Sequence, residues 1–467
     1  MEGLALEYFA DQPVFPDRRL DMRLFDTFER MCQCPQGTLP RKLARRRELV
    51  GGYRLFNNRR VEPQAVLASH RLRCLERLAN CRERVLLLHD TTVLDFSGLT
   101  MEGLGQVGDG HGQGLYAHHS LAVLPQSREV VGLLNQILHR RDRVPQGEKR
   151  SQRQARATRE SRLWKRAVQE LPALPAGVDV TDVSDRGSDL TEYLWYELQA
   201  GRQFIVRSQH NRRLAGSVGA EVTKLHDHLR SLAEMGRQVV TVSSPGGGRR
   251  EATIALSYTA AAVAPPRQAR GEHGREAMEL WAVRAWEVTD ADAAGAATPP
   301  GQAELLEGLL LTNRPLVGIS QAQMVVQDYA CRWMVEDFHK AQKTGCGIEH
   351  LQLTTRHGLD NAIAVLSVLA VHVLRLRCAA RDPLTRDQPA CRYEEPLKVQ
   401  LAARTSGTQD WQAMTLWQFY LAVARLGGYM LNPHKRPPGW QVLWRGYIRL
   451  ESMCEGARLM AERCVQT

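Results

Sequence analysis

A stripe of charged side chains between residues 329 and 343 constrains this chain more than any other feature. At about 100° per residue, five of these residues project from one face of a single helix. They are Tyr329, Arg332, Glu336, Lys340 and Lys343. The opposite face is apolar and consists of Ala330, Cys331, Met334, Val335, Phe338 and Ala341. The pattern predicts an amphipathic helix that buries one side and presents a carboxylate among cations on the other.

Two interpretations of this charged face are open. In an arbitrary helix, Arg332 and Glu336 would form a solvated i,i+4 ion pair with no further role. A carboxylate among cations is instead the surface expected where a metal ion and a phosphate group are bound together. The second interpretation requires more carboxylates, because in-line cleavage of a phosphodiester generally uses two divalent cations about 3.5 to 4 Å apart.

Two short apolar runs supply candidate carboxylates. Residues 85–88 are typical of a buried strand, and Asp90 lies just beyond their carboxyl end. A second strand-like run at residues 178–183 leads to Asp185, which precedes a predicted helix. Three neighbouring acids compete on residue type alone, namely Asp179, Asp182 and Asp189. An acid at an arbitrary position is usually a helix cap or a solvated surface residue.

The combined pattern resembles the bacterial cut-and-paste transposases of the insertion-sequence-four family. The family signature of Tyr, two residues, Arg, three residues, Glu, six residues and Lys matches positions 329 to 343, two threonines follow Asp90, and an Arg follows Asp185. The resemblance implies that Asp90, Asp185 and Glu336 are catalytic and bind two Mg²⁺ or Mn²⁺ ions per active site. It also implies DNA contacts by Arg207, Tyr329, Arg332, Trp333, Lys340 and Lys343.

The DNA contacts leave alternatives open. Arg207 and Ser208 together resemble a family pair, but an Arg at the end of a strand can equally pair with a nearby acid. The basic run at residues 41–47 resembles the end-binding region of the family, although a run of arginines is by itself more often a solvated face. The sequence therefore assigns no individual base contact.

Two positions depart from the family pattern. Gly187 stands where the family has a Glu after the Asp-Arg pair. Gly308 stands where the family example has a Trp that stacks on a base flipped out during hairpin formation. Trp281, Trp286 or Trp333 could take over this stacking, although a buried structural role is an equally good reading of each.

The resemblance spans almost the whole chain and implies an α/β fold. It predicts a ribonuclease-H-like catalytic core with a β-rich insertion, between an α-helical amino-terminal DNA-binding domain and an α-helical carboxy-terminal dimerisation domain. The predicted domains are residues 1–72, residues 73–375 with the insertion at about 209–305, and residues 376–467. Expected elements include a helix from Asp17 to Met31, a basic helix from about Gly147 to Leu171, β runs at 239–242 and 252–257, and an apolar helix from Leu359 to Ala379. A flexible hairpin tip at 245–248 and an Ala/Pro/Gly stretch at 291–301 are expected to separate the β runs.

Composition is consistent with a protein that binds a polyanion. The 62 Lys and Arg residues outnumber the 51 Asp and Glu residues, which gives a net charge of +11. Of the 62 basic residues 54 are Arg, whose planar guanidinium suits bidentate phosphate contacts, although a genomic base composition that favours Arg would give the same bias. The ten cysteines include no Cys-x-x-Cys pair, and the first residues do not resemble an export signal, which predicts reduced thiols in a soluble bacterial cytoplasmic protein without a membrane partner.

The sequence thus predicts a transposase that binds double-stranded transposon ends, excises them and joins them to target DNA as a synaptic homodimer. The resemblance implies that excision passes through a hairpin on the transposon end. Two alternatives remain at this stage. One is a catalytically inactive, transposase-derived DNA-binding regulator. The other is a different nuclease on the same fold.

Overall fold

The computed structural model is a mixed α/β structure built on a ten-stranded sheet. It describes residues 4–142, 145, 147–149, 152, 156, 158–216, 224–243, 249–266, 273–288, 306–381, 385–430 and 438–466. The strands are β1 Val85–Asp95, β2 Gly105–Val107, β3 Gly112–Val123, β4 Val130–His139, β5 Val180–Ser184, β6 Gln203–Arg207, β7 Gly236–Ser243, β8 Arg249–Val263, β9 Met278–Val288 and β10 Glu307–Thr312.

Thirteen described α-helices accompany the sheet, some packed on it and others packed on one another. They are α1 Arg18–Gln33, α2 Leu39–Lys42, α3 Arg46–Phe56, α4 Pro63–Ala79, α5 Leu163–Gln169, α6 Thr191–Gln199, α7 Leu225–Ser231, α8 Ile319–Ala330, α9 Trp333–Lys340, α10 Arg356–Ala379, α11 Pro396–Ser406, α12 Leu416–Leu426 and α13 Trp440–Gln466. The predicted helix from Asp17 to Met31 is confirmed as α1, where the Asp17 carboxylate caps the helix by accepting from the Arg19 backbone N–H at 3.0 Å.

The central part of the sheet has the strand order β4-β3-β1-β5-β6. Strand β1 is antiparallel to β3 and parallel to β5, and β5 is parallel to β6. Residues 85–88 of β1 are fully buried, since a strand in the middle of a sheet covered on both faces has no polar side. This order and these directions are compatible with the ribonuclease-H-like core expected from the sequence.

The β-rich stretch extends the same sheet. Strand β10 pairs antiparallel with β6, and β9, β8 and β7 follow in that order. The predicted β runs at 239–242 and 252–257 lie within β7 and β8. The glycine-rich segment at 245–248 and the Ala/Pro/Gly segment at 291–301 lie outside the described residues.

Helix α10 ties the amino-terminal helices to the sheet. It packs against α4 and β4, and its residues share one hydrophobic cluster with Phe28, Phe56 and Leu86. Asn361 of α10 donates to the carbonyl oxygens of Phe56 and Val61 at 2.9 and 2.8 Å. By length and composition α10 also passes a test for a membrane-crossing helix, but 72% of its most apolar window is buried within the protein, as in a core helix.

The carboxy-terminal helices α11, α12 and α13 pack around a cluster of their own that includes Val399, Phe419 and Leu450. Trp444 of α13 reaches the main core, where it packs so closely on Gly345 that a Cβ there would lie 2.4 Å from the indole ring. The last helix therefore contacts the end of the segment that carries the charged stripe.

Part of the predicted basic helix from Gly147 to Leu171 lies outside the described residues, namely positions 150, 151, 153–155 and 157. In the described part, a 3₁₀ turn at Glu160–Arg162 leads into α5. Helix α5 buries Leu163 and Trp164, which hold it against the sheet.

Candidate active site

The segment that carries the charged stripe is not one continuous helix. Helix α8 ends at Ala330, and the backbone N–H groups of Arg332 and Val335 bond to carbonyl oxygens three residues earlier, which tightens the chain between α8 and α9. After α9, residues Ala341–Gly345 form a π-helical turn. The prediction of a single helical stripe is therefore wrong, because two changes of helical pitch rotate its ends away from its middle. The apolar face is buried as predicted, except for Ala330, which is exposed.

Asp90 and Asp185 are neighbours where the parallel pairing of two strands ends. Asp185 directly follows β5, as predicted, but Asp90 lies in the middle of β1, because residues 91–95 continue to pair with β3. The parallel strands β1 and β5 pair His89 with Ser184, so the next residue of each chain is one of the two acids. The Asp90 carboxylate accepts from the Thr91 backbone N–H at 2.8 Å, and the Asp185 carboxylate accepts from the Gly187 N–H at 2.7 Å.

The Gly187 departure has a local physical reason. A Cβ at this position would lie 3.0 Å from both the Trp164 ring and the Asp185 carboxylate. A larger residue would therefore press on the acid that the turn orients. Glycine leaves room for Trp164 to pack under this turn.

Glu336 comes from α9 and meets Arg332. The Arg332 guanidinium donates to Glu336 Oε1 at 2.7 Å, and its Nη1 atom lies 3.8 Å from Asp90 Oδ2. Only 8% of the Arg332 side chain is exposed. One buried guanidinium thus faces two of the three predicted catalytic carboxylates, which is inconsistent with a simple solvated ion pair.

Asp90 has the most informative ionisation behaviour of the three acids. The pKa of Asp90 is raised from 3.8 to about 7. Burial raises it most and the negative charge of Asp185 next, Glu336 adds a smaller rise, and Arg332 lowers it within this total. Asp185 and Glu336 must lie close enough to Asp90 to act on its charge. The three acids therefore belong to one electrostatic cluster.

This shift predicts a pH-dependent stability of the metal-free protein. Because the folded state holds the Asp90 proton more tightly than the unfolded chain does, ionisation of Asp90 costs stability as the pH rises from near 3.8 to about 7. Asp90→Asn carries no charge, so its stability advantage over the wild type should grow by up to roughly 3 kcal/mol between about pH 5 and about pH 8. The free energy of unfolding of both proteins is measured by urea titration in EDTA at each pH. An equal advantage of Asp90→Asn at both pH values would contradict the burial and the neighbouring negative charges assigned to Asp90.

The acids match a divalent cation in chemistry but not in their present arrangement. Carboxylate oxygens are the donors that Mg²⁺ and Mn²⁺ prefer, and Asp90, Asp185 and Glu336 supply only such donors. Yet within the ranges that the structure describes, no group of three or more His, Cys, Asp or Glu side chains is arranged to hold a metal ion. Two of the acids, Glu336 and Asp90, are arranged around the Arg332 guanidinium instead.

Three of the predicted DNA-contacting residues lie beside this cluster. The Tyr329 pKa is raised by burial and by Asp185 and lowered by Arg332 and Arg207, which places Tyr329 among these charges. Arg207, at the end of β6, donates to the Glu307 carbonyl oxygen at 3.2 Å, and no acid side chain among the described residues accepts from it. Trp333 is 60% exposed, and the Arg332 guanidinium lies 4.9 Å from its ring centroid.

The two lysines of the stripe turn elsewhere. Lys340 Nζ lies 3.6 Å from Asp337 Oδ1, and Lys343 Nζ lies 3.4 Å from Glu349 Oε1. Lys343 lies within the π-helical turn that follows Lys340. Each residue of a π-helical turn rotates less about the axis than a residue of an α-helix, so Lys343 leaves the line that Arg332 and Glu336 define.

The three competing acids each have an Arg partner. Asp182 is 1% exposed and accepts from both Arg202 and His89, while Asp189 is fully buried against Arg212. The third, Asp179, lies 3.4 Å from Arg314 near the surface. All three carry structural pairs, which leaves Asp185 as the acid of this region that faces Asp90.

Sequence reasoning missed a chain of histidines behind Asp90. His339 Nδ1 lies 3.9 Å from Asp90 Oδ2, His119 lies 3.1 Å from His339, and Gln136 lies 3.0 Å from His119. Burial lowers the pKa of His339 and His119, so both are neutral. The signal was the His118-His119 pair in β3, because β3 pairs with β1 and sets His119 opposite Asp90.

Comparison with known proteins adds little to this geometry. No protein-family model matches the sequence. Among solved structures, the chain is similar to a piggyBac transposase in a cryo-EM synaptic complex with hairpin DNA, at 10% sequence identity and a TM-score of 0.32. The alignment covers 79% of this chain and 58% of the piggyBac transposase chain, so this chain spans less than two thirds of the length of that transposase. A TM-score this low does not establish a shared fold.

Proposed function

We propose that this protein is a transposase that binds the ends of a mobile DNA element, cuts them with the help of divalent metal ions and joins them to target DNA. The observation that carries the proposal is the convergence of Asp90 of β1, Asp185 directly after β5 and Glu336 of α9 in one charged cluster, in which the buried Arg332 lies against Asp90 and Glu336. Three acids from separate elements beside a buried cation suit a phosphodiester better than a structural ion pair.

Asp90, Asp185 and Glu336 would hold two Mg²⁺ or Mn²⁺ ions, which when bound supply activation of the attacking oxygen and stabilisation of the departing one. Arg332 binds a phosphate next to the scissile bond with its planar guanidinium. Tyr329 positions the strand beside Asp185, and the exposed Trp333 ring offers a surface for a base. Lys340 and Lys343 hold phosphates further along the duplex, where they lie on the outer side of α9 and the following turn.

The finer features of the proposal come from the sequence resemblance. The substrates are double-stranded transposon ends and target DNA, excision passes through a hairpin on the transposon end, and the working unit is a synaptic homodimer in the bacterial cytoplasm. The amino-terminal helices bind the ends, and the carboxy-terminal helices form the dimer contact.

The test is strand transfer by the purified protein. Candidate ends are taken from the DNA that flanks the gene and incubated with the protein, Mg²⁺ and a target plasmid. Insertion products support the proposal, whereas cutting without insertion indicates a different nuclease. Sequence-specific binding with no cutting in either Mg²⁺ or Mn²⁺ indicates the alternative function, an inactive transposase-derived regulator.

Gly308 gives a prediction about the hairpin step. A Cβ at Gly308 would meet no atom within 4 Å, so β10 has room for a side chain there. An added Trp supplies a stacking platform, typically worth about 1 to 3 kcal/mol per base, so Gly308→Trp should accelerate hairpin formation by roughly tenfold and leave first nicking unchanged.

The nicked, hairpin and open products are followed over time on one labelled transposon end. Gly308→Ala is the matched control, since it adds a side chain without an aromatic ring. Equal hairpin rates in Gly308→Trp and Gly308→Ala would indicate that the flipped base is held elsewhere. A selective loss of hairpin product in Trp333→Ala would then identify the exposed Trp333 as that platform.

A further inference from the structure

Arg332 already contacts two of the carboxylates that a metal ion would bind, those of Glu336 and Asp90. Its Nη2 atom donates to Glu336 Oε1 at 2.7 Å, and its Nη1 atom lies 3.8 Å from Asp90 Oδ2. The side chain is almost completely buried, so water does not screen these contacts. While Arg332 holds this position, Glu336 Oε1 already has a cationic partner.

We propose that Arg332 is the counter-ion of the metal-free site and that a divalent cation displaces it from Glu336 and Asp90, which frees the guanidinium to bind a DNA phosphate. This inference rests on the proposed function, because it takes these carboxylates as the metal ligands. Metal binding and phosphate binding are then linked steps. The same positive charge serves the carboxylates before metal binding and the DNA after it.

Electrostatics favours such an exchange. A guanidinium and a divalent cation that share Glu336 would stand within a few ångströms of each other, and like charges at that distance repel strongly in a poorly hydrated site. The divalent ion carries the larger charge and binds carboxylate oxygens directly, so it wins the competition once its concentration is sufficient.

The surroundings of Arg332 allow it to leave. Its Nε atom is buried without a hydrogen-bond partner among the described residues, so the pairing with the acids uses only part of its donor set. Its guanidinium lies 4.9 Å from the Trp333 ring centroid and 5.9 Å from that of Tyr329. A movement over the exposed Trp333 ring carries the charge outward while keeping a favourable contact with an aromatic face.

The inference predicts that removal of the Arg332 charge improves metal binding. In the absence of DNA, Arg332→Gln should bind Mn²⁺ roughly tenfold more tightly than the wild type, because the competitor is gone. Arg332→Lys keeps a positive charge within reach of Glu336 and should bind Mn²⁺ like the wild type. Free Mn²⁺ is measured by electron paramagnetic resonance during titration of the purified full-length protein.

Lys340→Gln is the matched control. It removes the same charge from the same helix, but Lys340 is 54% exposed and pairs with Asp337. Its Mn²⁺ affinity should stay within about twofold of the wild type, since exposed charges are screened. Equal tightening in Lys340→Gln and Arg332→Gln would overturn the inference, because the effect would then be one of overall charge.

A further variant separates this inference from the proposed function. Asp90→Asn combined with Glu336→Gln should lose Mn²⁺ binding if these acids are the ligands. Loss in this double variant with no tightening in Arg332→Gln overturns the counter-ion role alone. Mn²⁺ binding that persists in the double variant, or that occurs in none of the proteins, overturns the metal site and the inference together.

A second measurement applies if Arg332→Gln does not fold. Movement of Arg332 away from Trp333 should change the tryptophan emission of the wild type on addition of Mg²⁺, which is not itself a quencher. Trp333→Phe removes the reporting ring and should show a smaller change under the same titration. Identical Mg²⁺ responses in both proteins would overturn the displacement.

Discussion

Replacement of Asp90 or Glu336 by Ala is expected to abolish DNA nicking, hairpin formation and strand transfer while leaving the binding of transposon ends largely intact. Each change removes one carboxylate from the cluster around Arg332. Loss of a metal ligand removes several kcal/mol of transition-state stabilisation, which corresponds to a roughly thousandfold or greater loss of rate. End binding is expected to survive because the proposed end-binding helices lie in the first 72 residues.

Rates of nicking and strand transfer are measured beside a gel-shift titration on the same labelled end. Asp95→Ala is the matched control, since Asp95 lies on the same strand as Asp90 but is exposed, and its carboxylate accepts from the Ser97 N–H and hydroxyl. It should retain nicking within a few-fold of the wild type. Nicking at the wild-type rate by Asp90→Ala or Glu336→Ala would refute the assignment of the active site.

The second large effect is expected at Asp182, and it concerns folding instead of catalysis. Asp182 is 1% exposed, accepts from Arg202 at 2.8 and 2.9 Å, and lies 2.7 Å from His89 Nε2. Asp182→Asn removes the carboxylate that accepts both hydrogen bonds from the largely buried Arg202 guanidinium and leaves it only the more distant Glu197, whose Oε2 lies 3.5 Å away. Breaking a buried ion pair in this way typically costs about 3 to 5 kcal/mol. The unfolding temperature and the urea midpoint should both fall.

Asp185→Asn provides the comparison, since it makes the same chemical change three residues later. Asp185 is partly exposed and its carboxylate accepts from the Gly187 N–H, a bond that the amide oxygen of Asn can retain. This variant should unfold at nearly the wild-type temperature yet fail to nick DNA. The opposite pattern, with stable Asp182→Asn and unstable Asp185→Asn, would reverse the roles assigned to the two acids.

Much of the fold follows from local sequence patterns. The apolar run at residues 85–88 predicts a buried strand, and that strand is the centre of the sheet. The helical pattern from Asp17 to Met31 and the apolar residues 359–379 predict helices that form as α1 and α10. These features are predictable because backbone hydrogen bonding and burial of an apolar face act over a few residues.

Other features are decided by packing at long range. Periodicity alone predicts one helix from Tyr329 to Lys343, but the chain tightens at Arg332 and widens into a π-helical turn at Ala341–Gly345. The close packing of Trp444 on Gly345 accompanies that widening, and a residue from about 100 positions away leaves no local signal. For the same reason Lys343 faces Glu349 and not the Arg332–Glu336 pair.

The sequence by itself determined that Asp90 and Asp185 follow short apolar strand-forming runs and that Arg332 and Glu336 lie about one helical turn apart, because both features depend on patterns over a few residues. Only the tertiary structure decided that Asp182 forms an ion pair with Arg202 and Asp189 with Arg212. It also decided that His339 and His119 lie behind Asp90 and that Arg332 is buried between Asp90 and Glu336. The physical reason is that burial and pairing of charge depend on which distant strands and helices meet, and the energy of a charge depends on that environment.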